Sequence, residues 1–299
     1  MSEVFEIARE KLRRTMLLTP GNQPDRLAKA AGLDVDCVVL DLEDGVGPDH
    51  KRQARTMVGE ALRTIDFGDR ERLVRINTIG TPEFHADMKA LPFDRIDALF
   101  VPKVETPGEL RQLNQRLIAI EANLDGRRID VVATIETPRG LLNALAIADA
   151  NPRTSALFFG SGDYAAATGS AITARAFEGP RAMIRAASAA AGLQAIDAAY
   201  FEAVKDAGAT RDDARIGREL GYDGKIIFHP NQVAPCNEVF SPSAEEIARA
   251  RRIVDAHAQA EAAGRGVAYV DGTFLAIDIV LMAERVLRKA EMINARQGA

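Results

Sequence analysis

Short, continuous apolar runs separated by longer helical patterns are the feature that most limits how this chain can fold. The runs are typical of strands, and they are Thr15–Thr19, Cys37–Leu42, Leu73–Asn77, Ala98–Pro102, Val131–Ile135, Ala156–Gly160, Ala195–Asp197 and Lys225–Phe228. Because they are continuous and do not alternate with polar residues, they match parallel strands buried on both faces. Eight such strands separated by helices predict an α/β fold, the (β/α)8 TIM barrel.

Helical patterns lie between these runs, and they are Pro24–Ala31, His50–Thr64, Pro107–Ala122, Pro138–Ala150, Arg175–Ala191 and Arg211–Leu220. A doubly wound open sheet is the alternative architecture, and it usually has a GxGxxG turn after its first strand. The residues that end the first run and follow it are TPGN, which do not match that turn. The barrel is therefore favoured.

The sequence after the eighth run exceeds what eight strand–helix units need. We predict a barrel domain over 11–237 and a C-terminal helical extension over 238–299. The helical pattern Ser241–Ala263 begins with Ser, Pro and two glutamates, which are helix-start signals. A second helix is predicted at Ala276–Ala295, after a turn-rich stretch. We expect this extension to pack on the barrel mouth or on a neighbouring subunit.

Charge and hydropathy argue against several classes of partner. The chain has 38 basic and 43 acidic residues and a net charge of −5, without a long run of either sign or a long apolar span. We therefore predict neither nucleic-acid binding nor a membrane span. The N-terminal stretch has no apolar signal-peptide core, and two lone cysteines, Cys37 and Cys236, indicate a reducing compartment. We expect a cytoplasmic location.

Polar side chains follow nearly every apolar run, at the point where the strand ends. These clusters are EDG at 43–45, RIN at 75–77, KVE at 103–105, ET at 136–137, SGD at 161–163 and HPNQ at 229–232. The carboxyl ends of TIM-barrel strands meet at one face, and that face holds the active site. The sequence therefore predicts that these clusters converge on one site.

Two carboxylates in these clusters are candidate metal ligands. Glu136 and Asp163 follow the fifth and sixth predicted strands. Adjacent strand ends can place such a pair around one Mg²⁺, which prefers one or two carboxylates with water and substrate oxygens completing the shell. Either residue could instead cap a helix, since Thr137-Pro138 begins a helical pattern. The paired context favours the metal site.

Two cations in these clusters need anionic partners. Arg75 lies inside the apolar run LVRIN, where a guanidinium is costly unless it meets an anion. It could pair with Glu43 or Asp44, or bind a substrate carboxylate or a developing enolate oxygen. Lys103 could be a Schiff-base nucleophile, which requires a depressed pKa, or a charged, paired lysine, which its acidic surroundings favour. His229 could be a base, but a structural role is favoured.

The stretch TPGNQPDRL after the first strand is a candidate phosphate site. A glycine-containing loop before a helix can hold a phosphate on its backbone amides. Arg13 and Arg14 lie just upstream. The sequence therefore predicts a site for coenzyme A phosphates here, with Arg14 as a contact, and a solvated surface is the alternative.

Taken in order, these motifs resemble the citrate lyase β-subunit-like branch of the HpcH/HpaI aldolase superfamily, which includes malyl-CoA and citramalyl-CoA lyases. The matching stretches extend from Arg13 to Val233, and they include CVVLDLEDG, LVRIN, VPKVE, ATIETPRG, FFGSGDY, AIDAAYFE and KIIFHPNQV. The free-acid aldolases of the superfamily have a histidine after the glutamate that follows strand two. This chain has DLEDG there, so the acyl-thioester branch fits better.

The resemblance implies a Mg²⁺-dependent carbon–carbon lyase that cleaves a 2-hydroxy-acid acyl-CoA thioester into a 2-oxo acid and an acyl-CoA. It implies that Glu136 and Asp163 bind Mg²⁺ and that Arg75 contacts the substrate carboxylate or carbonyl. The remaining matches are Glu43 and Asp44, which would bind Arg75 or metal-bound water, and Gly160, Ser161 and Gly162, which would line the 2-oxo acid site. Family members are often homotrimers or homohexamers.

Two departures from the family pattern bear on the chemistry. The malyl-CoA-type members have a C-terminal aspartate that reaches a neighbouring subunit's site. When their motif is matched at Asp271-Gly272, Ala276 occupies the position of that aspartate here. Asp278 lies two residues on, about 200° around a helix, so it cannot simply substitute in a helical segment. After strand six, SGDY replaces the usual AED and leucine, which removes a carboxylate at Ser161 and adds a hydroxyl at Tyr164.

Three other functions are compatible with these sequence features. The first is a Mg²⁺-dependent aldolase that acts on free hydroxy acids. The second is a non-catalytic protein that binds an acyl-CoA or a 2-oxo acid, although such a protein need not keep a metal site. The third is the β-subunit of a citrate lyase complex, with its substrate on an acyl carrier protein.

Overall fold

Eight parallel strands form a closed barrel in the computed structural model, which describes residues 11–264, 268–270 and 273–297. The strands are β1 Thr15–Pro20, β2 Cys37–Asp41, β3 Glu71–Arg75, β4 Ala98–Val101, β5 Asp130–Ile135, β6 Thr154–Phe159, β7 Gln194–Asp197 and β8 Gly224–Ile227. Each strand pairs with the next, and β8 pairs with β1 through Thr15–Lys225, Met16–Ile226 and Leu17–Ile227. The predicted TIM barrel is confirmed, and each predicted strand overlaps an observed one.

Twelve α-helices are present in the described residues. They are α1 Pro24–Ala31, α2 Lys51–Thr64, α3 Pro82–Ala90, α4 Pro107–Glu121, α5 Pro138–Leu142, α6 Ala144–Ala148, α7 Ser161–Thr168, α8 Ala174–Ala190, α9 Ala207–Glu219, α10 Val233–Phe240, α11 Ala244–Ala262 and α12 Ile277–Gln297. The single helix predicted over Pro138–Ala150 is wrong, since the helix breaks at Asn143, whose side-chain amide donates to the Glu105 carbonyl at 2.8 Å. No helix among the residues that the structure describes is both long enough and apolar enough to cross a membrane.

Threonine–proline pairs begin three of the helices that follow the strands carrying the site. These pairs are Thr81-Pro82 at α3, Thr106-Pro107 at α4 and Thr137-Pro138 at α5. The hydroxyls of Thr81 and Thr137 accept a backbone N–H from the first turn, whereas the Thr106 hydroxyl donates to the Glu109 side chain. The proline in each pair has the φ of a first helical position. Such sharp starts keep the loops after β3, β4 and β5 short, so the residues in those loops stay at the barrel edge.

Apolar side chains fill the barrel interior. The cluster consists of Met16, Cys37, Val39, Leu73, Ala98, Phe100, Val132, Ala156, Phe158, Ile196 and Ile226. Side chains alternate along a strand, so Asp41 and Arg75 share the inward face with Val39 and Leu73. Two charged residues therefore lie above the apolar layer, at the carboxyl edge of the barrel.

A second group of buried charges lies outside the barrel wall. Lys225 and Asp197 alternate with the inward-facing Ile226 and Ile196, so they point toward the helices. The Lys225 Nζ is 2.7 Å from Asp197 Oδ2, and the Nε of Arg181 in α8 is 2.8 Å from Asp197 Oδ1. Both contacts are almost fully buried, so they join β7 and β8 to the helix layer.

The chain divides into two compact units, of which the first ends at Asn237 and the second begins at Glu238. In the second unit, α11 packs against α12 and a hairpin of β9 Ala268–Val270 and β10 Thr273–Leu275. Asp271 and Gly272, which anchor the comparison with the family's C-terminal motif, lie outside the described residues. Ala276 directly precedes α12, and Asp278 lies in the first turn of that helix. Packing of this unit on the barrel mouth or on another subunit stays a prediction.

Candidate active site

Asp41 holds Arg75 by a two-pronged ion pair at the carboxyl ends of β2 and β3. Arg75 Nε donates to Asp41 Oδ1 at 2.7 Å, and Arg75 Nη2 donates to Asp41 Oδ2 at 2.6 Å. The backbone N–H groups of Glu43 and Gly45 donate to the same carboxylate at 2.8 and 2.9 Å. Burial lowers the pKa of Arg75, but the Asp41 contacts outweigh it and hold that pKa above its ordinary value. The guanidinium is therefore charged and fixed in one orientation.

Sequence reasoning missed Asp41. The residue lies inside the apolar run Cys37–Leu42, so it is not among the polar residues that follow the runs. It is fully buried, and a Cβ at Gly45 would come within 2.2 Å of its Oδ2, so the loop after β2 wraps closely around the carboxylate. The signal that would find it is a carboxylate at an inward-facing position of an apolar strand, two residues beyond Val39.

Glu43 and Asp44 meet two different cations. Glu43 Oε2 is 3.2 Å from Arg75 Nη1, and Glu43 Oε1 accepts a hydrogen bond from Lys103 Nζ at 2.6 Å. Asp44 Oδ2 accepts from the same Nζ at 3.0 Å. Of the two partners that the sequence suggested for Arg75, the structure places Glu43 against it. Burial raises the pKa of Glu43 even though Arg75 and Lys103 oppose the shift.

Lys103 is a charged, paired lysine. Burial lowers the pKa of its ammonium, but the hydrogen bonds to Glu43 and Asp44 outweigh that effect and raise the pKa above its ordinary value. A Schiff-base lysine needs a depressed pKa, because only the neutral amine attacks a carbonyl. The contacts of Lys103 therefore contradict the Schiff-base alternative.

Glu136 and Asp163 follow the neighbouring strands β5 and β6, and the structure brings them together. Glu136 is buried, and its Oε1 accepts the backbone N–H of Lys103 at 2.6 Å. Asp163 lies in the first turn of α7 and is exposed. Burial and the nearby charge of Asp163 raise the pKa of Glu136 to about 8. A cation between the two carboxylates would favour the ionised form of Glu136.

This pair fits Mg²⁺ by its donor chemistry. Mg²⁺ is a hard cation that takes one or two carboxylates and keeps several positions for water or substrate oxygens. Within the described ranges, no group of three or more His, Cys, Asp or Glu residues is arranged to hold a metal. Mg²⁺ bound by Glu136 and Asp163 would leave water or a substrate the positions that these two carboxylates do not fill.

Gly160 lets the backbone after β6 pass directly against Glu136. A Cβ at this position would lie 2.4 Å from the Glu136 Cβ and 2.5 Å from its Oε2. Ser161 and Gly162 follow in the first turn of α7, where Ser161 is buried and Gly162 is exposed. Gly160, Ser161 and Gly162 therefore lie beside the carboxylate pair, where the resemblance places a 2-oxo acid. The Tyr164 ring packs edge-on against Phe159, with ring centroids 5.7 Å apart.

A cavity of about 390 Å³ opens beside Ser161. Its wall includes Phe177 and Arg181 of α8, Tyr200 and Phe201 after β7, and Ile216 of α9. The cavity thus extends outward from the loop after β6, between the ends of β6 and β7 and their helices.

Arg14 lies at the opposite end of the barrel, so its predicted role in substrate binding is corrected. It directly precedes β1, and its Nε and Nη2 donate to Asp36 at 2.9 and 2.8 Å. Arg13 is buried as well and pairs with Glu71 at 2.7 Å. Both guanidiniums bind carboxylates at the amino ends of strands, whereas the candidate site lies at the carboxyl ends. The loop TPGN stays a predicted phosphate site without them.

His229 is a helix cap. Its Nδ1 accepts the backbone N–H of Asn231 at 3.1 Å, at the start of the 3₁₀ turn Pro230–Gln232. Gln232 closes the same turn by accepting the N–H of His229 at 3.2 Å. These contacts agree with the favoured structural role.

The contact between Gly160 and Glu136 predicts a mutational effect. Gly160→Ala should weaken Mg²⁺ binding by roughly tenfold or more, because the new methyl displaces a carboxylate that must hold its orientation. Gly179→Ala is the matched control, since no atom lies within 4 Å of a Cβ at that helical position. Calorimetric titration of both variants with MgCl₂ measures the difference, and equal affinities would contradict the proposed contact.

The raised pKa of Glu136 predicts a pH dependence in metal-free protein. An unfolded Glu titrates near 4.5 and the folded one at about 8, so the unfolded state releases its proton first as the pH rises. The contribution of Glu136 to stability is therefore complete below pH 4.5 and is lost as the pH rises through 8. Relative to Glu136→Gln, the free energy of unfolding should fall by up to about 1.4 kcal/mol per pH unit in that window. Denaturant unfolding in EDTA at a series of pH values measures this free energy. The same pH dependence in both proteins would contradict the raised pKa of Glu136.

Comparison with known proteins agrees with this geometry. The family model described as HpcH/HpaI aldolase/citrate lyase matches residues 14–230. A (3S)-malyl-CoA thioesterase of Cereibacter sphaeroides is 37% identical, with 94% of this chain and 96% of the relative covered. An L-malyl-CoA/β-methylmalyl-CoA lyase of the same species is 35% identical, over 94% of this chain and 96% of the relative.

A solved structure gives the same result at the level of the fold. The crystal structure of CitE from Mycobacterium tuberculosis, in complex with magnesium, acetoacetate and coenzyme A, superposes with a TM-score of 0.74 at 30% identity. The match covers 93% of this chain and 97% of that one. The order of the motifs, the closed barrel and these matches agree, and the chain belongs to the HpcH/HpaI aldolase/citrate lyase family.

Proposed function

We propose that this protein is a Mg²⁺-dependent lyase that cleaves a carbon–carbon bond in a 2-hydroxy-acid acyl-CoA thioester, giving a 2-oxo acid and an acyl-CoA. The observation that carries the proposal is an oriented guanidinium, Arg75, at the same barrel edge as the carboxylates Glu136 and Asp163. The names of the relatives support it, since they include a lyase for malyl-CoA and β-methylmalyl-CoA. The CitE neighbour, which was crystallised with magnesium and coenzyme A, supports the cofactor and the thioester.

Glu136 and Asp163 would hold the Mg²⁺. When bound, the ion supplies Lewis-acid chemistry, which favours loss of the substrate's 2-hydroxyl proton and stabilises the 2-oxo product. Glu136 must be ionised to bind it, and the backbone N–H of Lys103 favours the ionised form. That N–H occupies Oε1, which leaves Oε2 for the cation.

Arg75 would neutralise negative charge on the substrate carboxylate or on the enolate oxygen that forms as the carbon–carbon bond breaks. A donor aimed at charge that develops in the transition state is most effective when it is already oriented. Asp41 provides that orientation through two hydrogen bonds, and Glu43 contacts the remaining Nη1. Arg75 therefore needs little reorganisation when the substrate arrives.

Glu43 and Asp44 act at this site through the cations that they contact. Glu43 lies between Arg75 and Lys103, so its carboxylate offsets the repulsion between these two positive groups and holds both in place. Asp44 is 60% exposed and reaches Lys103 from the solvent side, where a bound water or substrate can also meet it. Ala276 supplies no acid or base, so the proton lost from the 2-hydroxyl must pass to another group or to solvent, and the enolate carbon must take up a proton to give the acyl-CoA.

We also propose a cytoplasmic homo-oligomer, a trimer or a hexamer. The oligomeric habit of the family supports it, as does a C-terminal unit with its own apolar cluster of Ala250, Ile253, Leu275, Val280 and Ala283. Exposed aromatic side chains on that unit, Tyr269 and Phe274, are compatible with a contact surface. Light scattering on the protein as it elutes from a size-exclusion column measures the mass of the oligomer.

A trapping assay tests the proposed reaction. Purified protein is incubated with MgCl₂ and malyl-, methylmalyl- or citramalyl-CoA, and released 2-oxo acid is trapped with phenylhydrazine. We expect release that EDTA abolishes and that Glu136→Ala removes, because the variant lacks a carboxylate ligand of the metal. The matching free hydroxy acids serve as the control substrates.

The outcomes separate the candidate functions. Release from a thioester but not from the free acid supports the proposal and identifies the acyl group. Release from free acids alone would instead indicate the aldolase alternative. Mg²⁺-dependent turnover that survives in Glu136→Ala would contradict the metal site.

A further inference from the structure

Lys103 has an unusual backbone conformation at the edge of the candidate site. Its φ is 50°, and Asp125, with a φ of 46°, is the one other non-glycine residue with positive φ among the described residues. Left-handed backbone is unfavourable for a residue with a Cβ, so it persists where the surroundings stabilise it. The surroundings of Lys103 are functional groups, since its backbone and its side chain each contact candidate site residues.

The backbone N–H of Lys103 supports a proposed metal ligand. It donates to Glu136 Oε1 at 2.6 Å, from the loop after β4 to the loop after β5. The regular parallel pairing of these strands ends at Val101 and Ala133, and the next amide, Val104 N, bonds to Thr134 O at 3.3 Å. The left-handed turn thus diverts a single N–H from the backbone ladder to the Glu136 carboxylate.

The side chain of Lys103 extends in the other direction, to the end of β2. Its Nζ lies 2.6 Å from Glu43 Oε1 and 3.0 Å from Asp44 Oδ2. Glu43 in turn contacts Arg75, and Asp41 fixes Arg75. One residue therefore joins the proposed metal ligand that follows β5 to Glu43, which contacts the proposed catalytic cation of β3.

We propose that Lys103 is a positioning residue with two separable roles. Its backbone N–H, placed by the left-handed conformation, orients Glu136, and its ammonium holds Glu43 and thereby Arg75. This inference rests on the proposed lyase function. The two roles have different consequences. Loss of the ammonium should impair the chemical step through Arg75, whereas Mg²⁺ binding through the N–H and Glu136 should persist.

Lys103→Met tests the ammonium, because methionine keeps much of the length of the chain and the backbone N–H. We expect kcat to fall by about tenfold or more, since a small misplacement of an oriented group has large kinetic effects. KM for the thioester and the Kd for Mg²⁺ should stay within about threefold of the unmodified values. A lysine that only stabilised the fold would lower the melting temperature and reduce kcat and Mg²⁺ binding in parallel, which would overturn the inference.

A double-mutant cycle with Glu43→Gln tests whether the effect passes through this ion pair. If Lys103 acts through Glu43, the double variant should lose no more kcat than the more damaged single variant, because the second change removes a contact that is already lost. Losses that multiply would overturn the inference. Lys103→Arg, which can keep the charge on Glu43, should recover part of the kcat.

Lys103→Gly and Lys103→Ala test the backbone. Both lack the ammonium, and they differ in the Cβ that the left-handed conformation disfavours. The glycine variant should melt about 2 °C or more above the alanine variant and bind Mg²⁺ at least as tightly. If the alanine variant melts at the same temperature as the glycine variant or at a higher one, the proposed role of the Lys103 backbone is overturned.

The controls distinguish this inference from the function on which it rests. An unmodified protein that releases no 2-oxo acid from any thioester would overturn the proposed lyase and this inference together. An unmodified protein that turns over, with Lys103→Met losing less than about tenfold in kcat, would overturn this inference alone.

Discussion

Closure of the barrel is the constraint on which the site depends. Hydrogen bonding of β8 to β1 leaves no free strand edge and fixes every strand in a parallel register. All the carboxyl ends then meet at one rim, so residues as distant in sequence as Asp41 and Asp163 can act on one small molecule. The apolar layer beneath them excludes water from the barrel interior, and this strengthens each ion pair above it.

Alternating charges organise the rim. Asp41, Arg75, Glu43 and Lys103 form a chain of contacts between 2.6 and 3.2 Å, in which each charge meets an opposite one. Glu136 and Asp163 break this alternation, because they are two neighbouring carboxylates. Burial and the nearby charge of Asp163 raise the pKa of Glu136 to about 8. The carboxylate pair is the part of the rim that a cation would complete.

Buried ion pairs elsewhere in the barrel show that placement decides what such a pair does. Lys225 and Asp197 are as deeply buried as Asp41, but they face the helix layer, where they connect β7 and β8 to α8. Arg14 and Asp36 make a similar contact at the amino ends of the strands. The same chemistry therefore joins elements of the fold outside the barrel wall and at the amino ends of the strands, and at the rim it holds the proposed ligand-binding groups.

Strand patterns and strand-end motifs allowed the barrel and most of the rim to be predicted from the sequence. Continuous apolar runs located each strand, and the residues after them included Glu43, Glu136 and Asp163. Position within a strand is harder to predict from sequence. Arg14, a predicted ligand contact, precedes β1, and Asp41 lies inside an apolar run, so the strand-end motifs do not include it. The close approach of Gly160 to Glu136 and the left-handed backbone of Lys103 depend on tertiary packing, which no local pattern encodes.

Calorimetric titration of metal-free protein with MgCl₂ tests the central claim, that Glu136 and Asp163 form a cation site at the rim. The account predicts a single Mg²⁺ site per chain, and Glu136→Gln and Asp163→Asn should each weaken it by roughly tenfold or more. Affinity that is unchanged in both variants would contradict the account, because it would place any bound Mg²⁺ elsewhere.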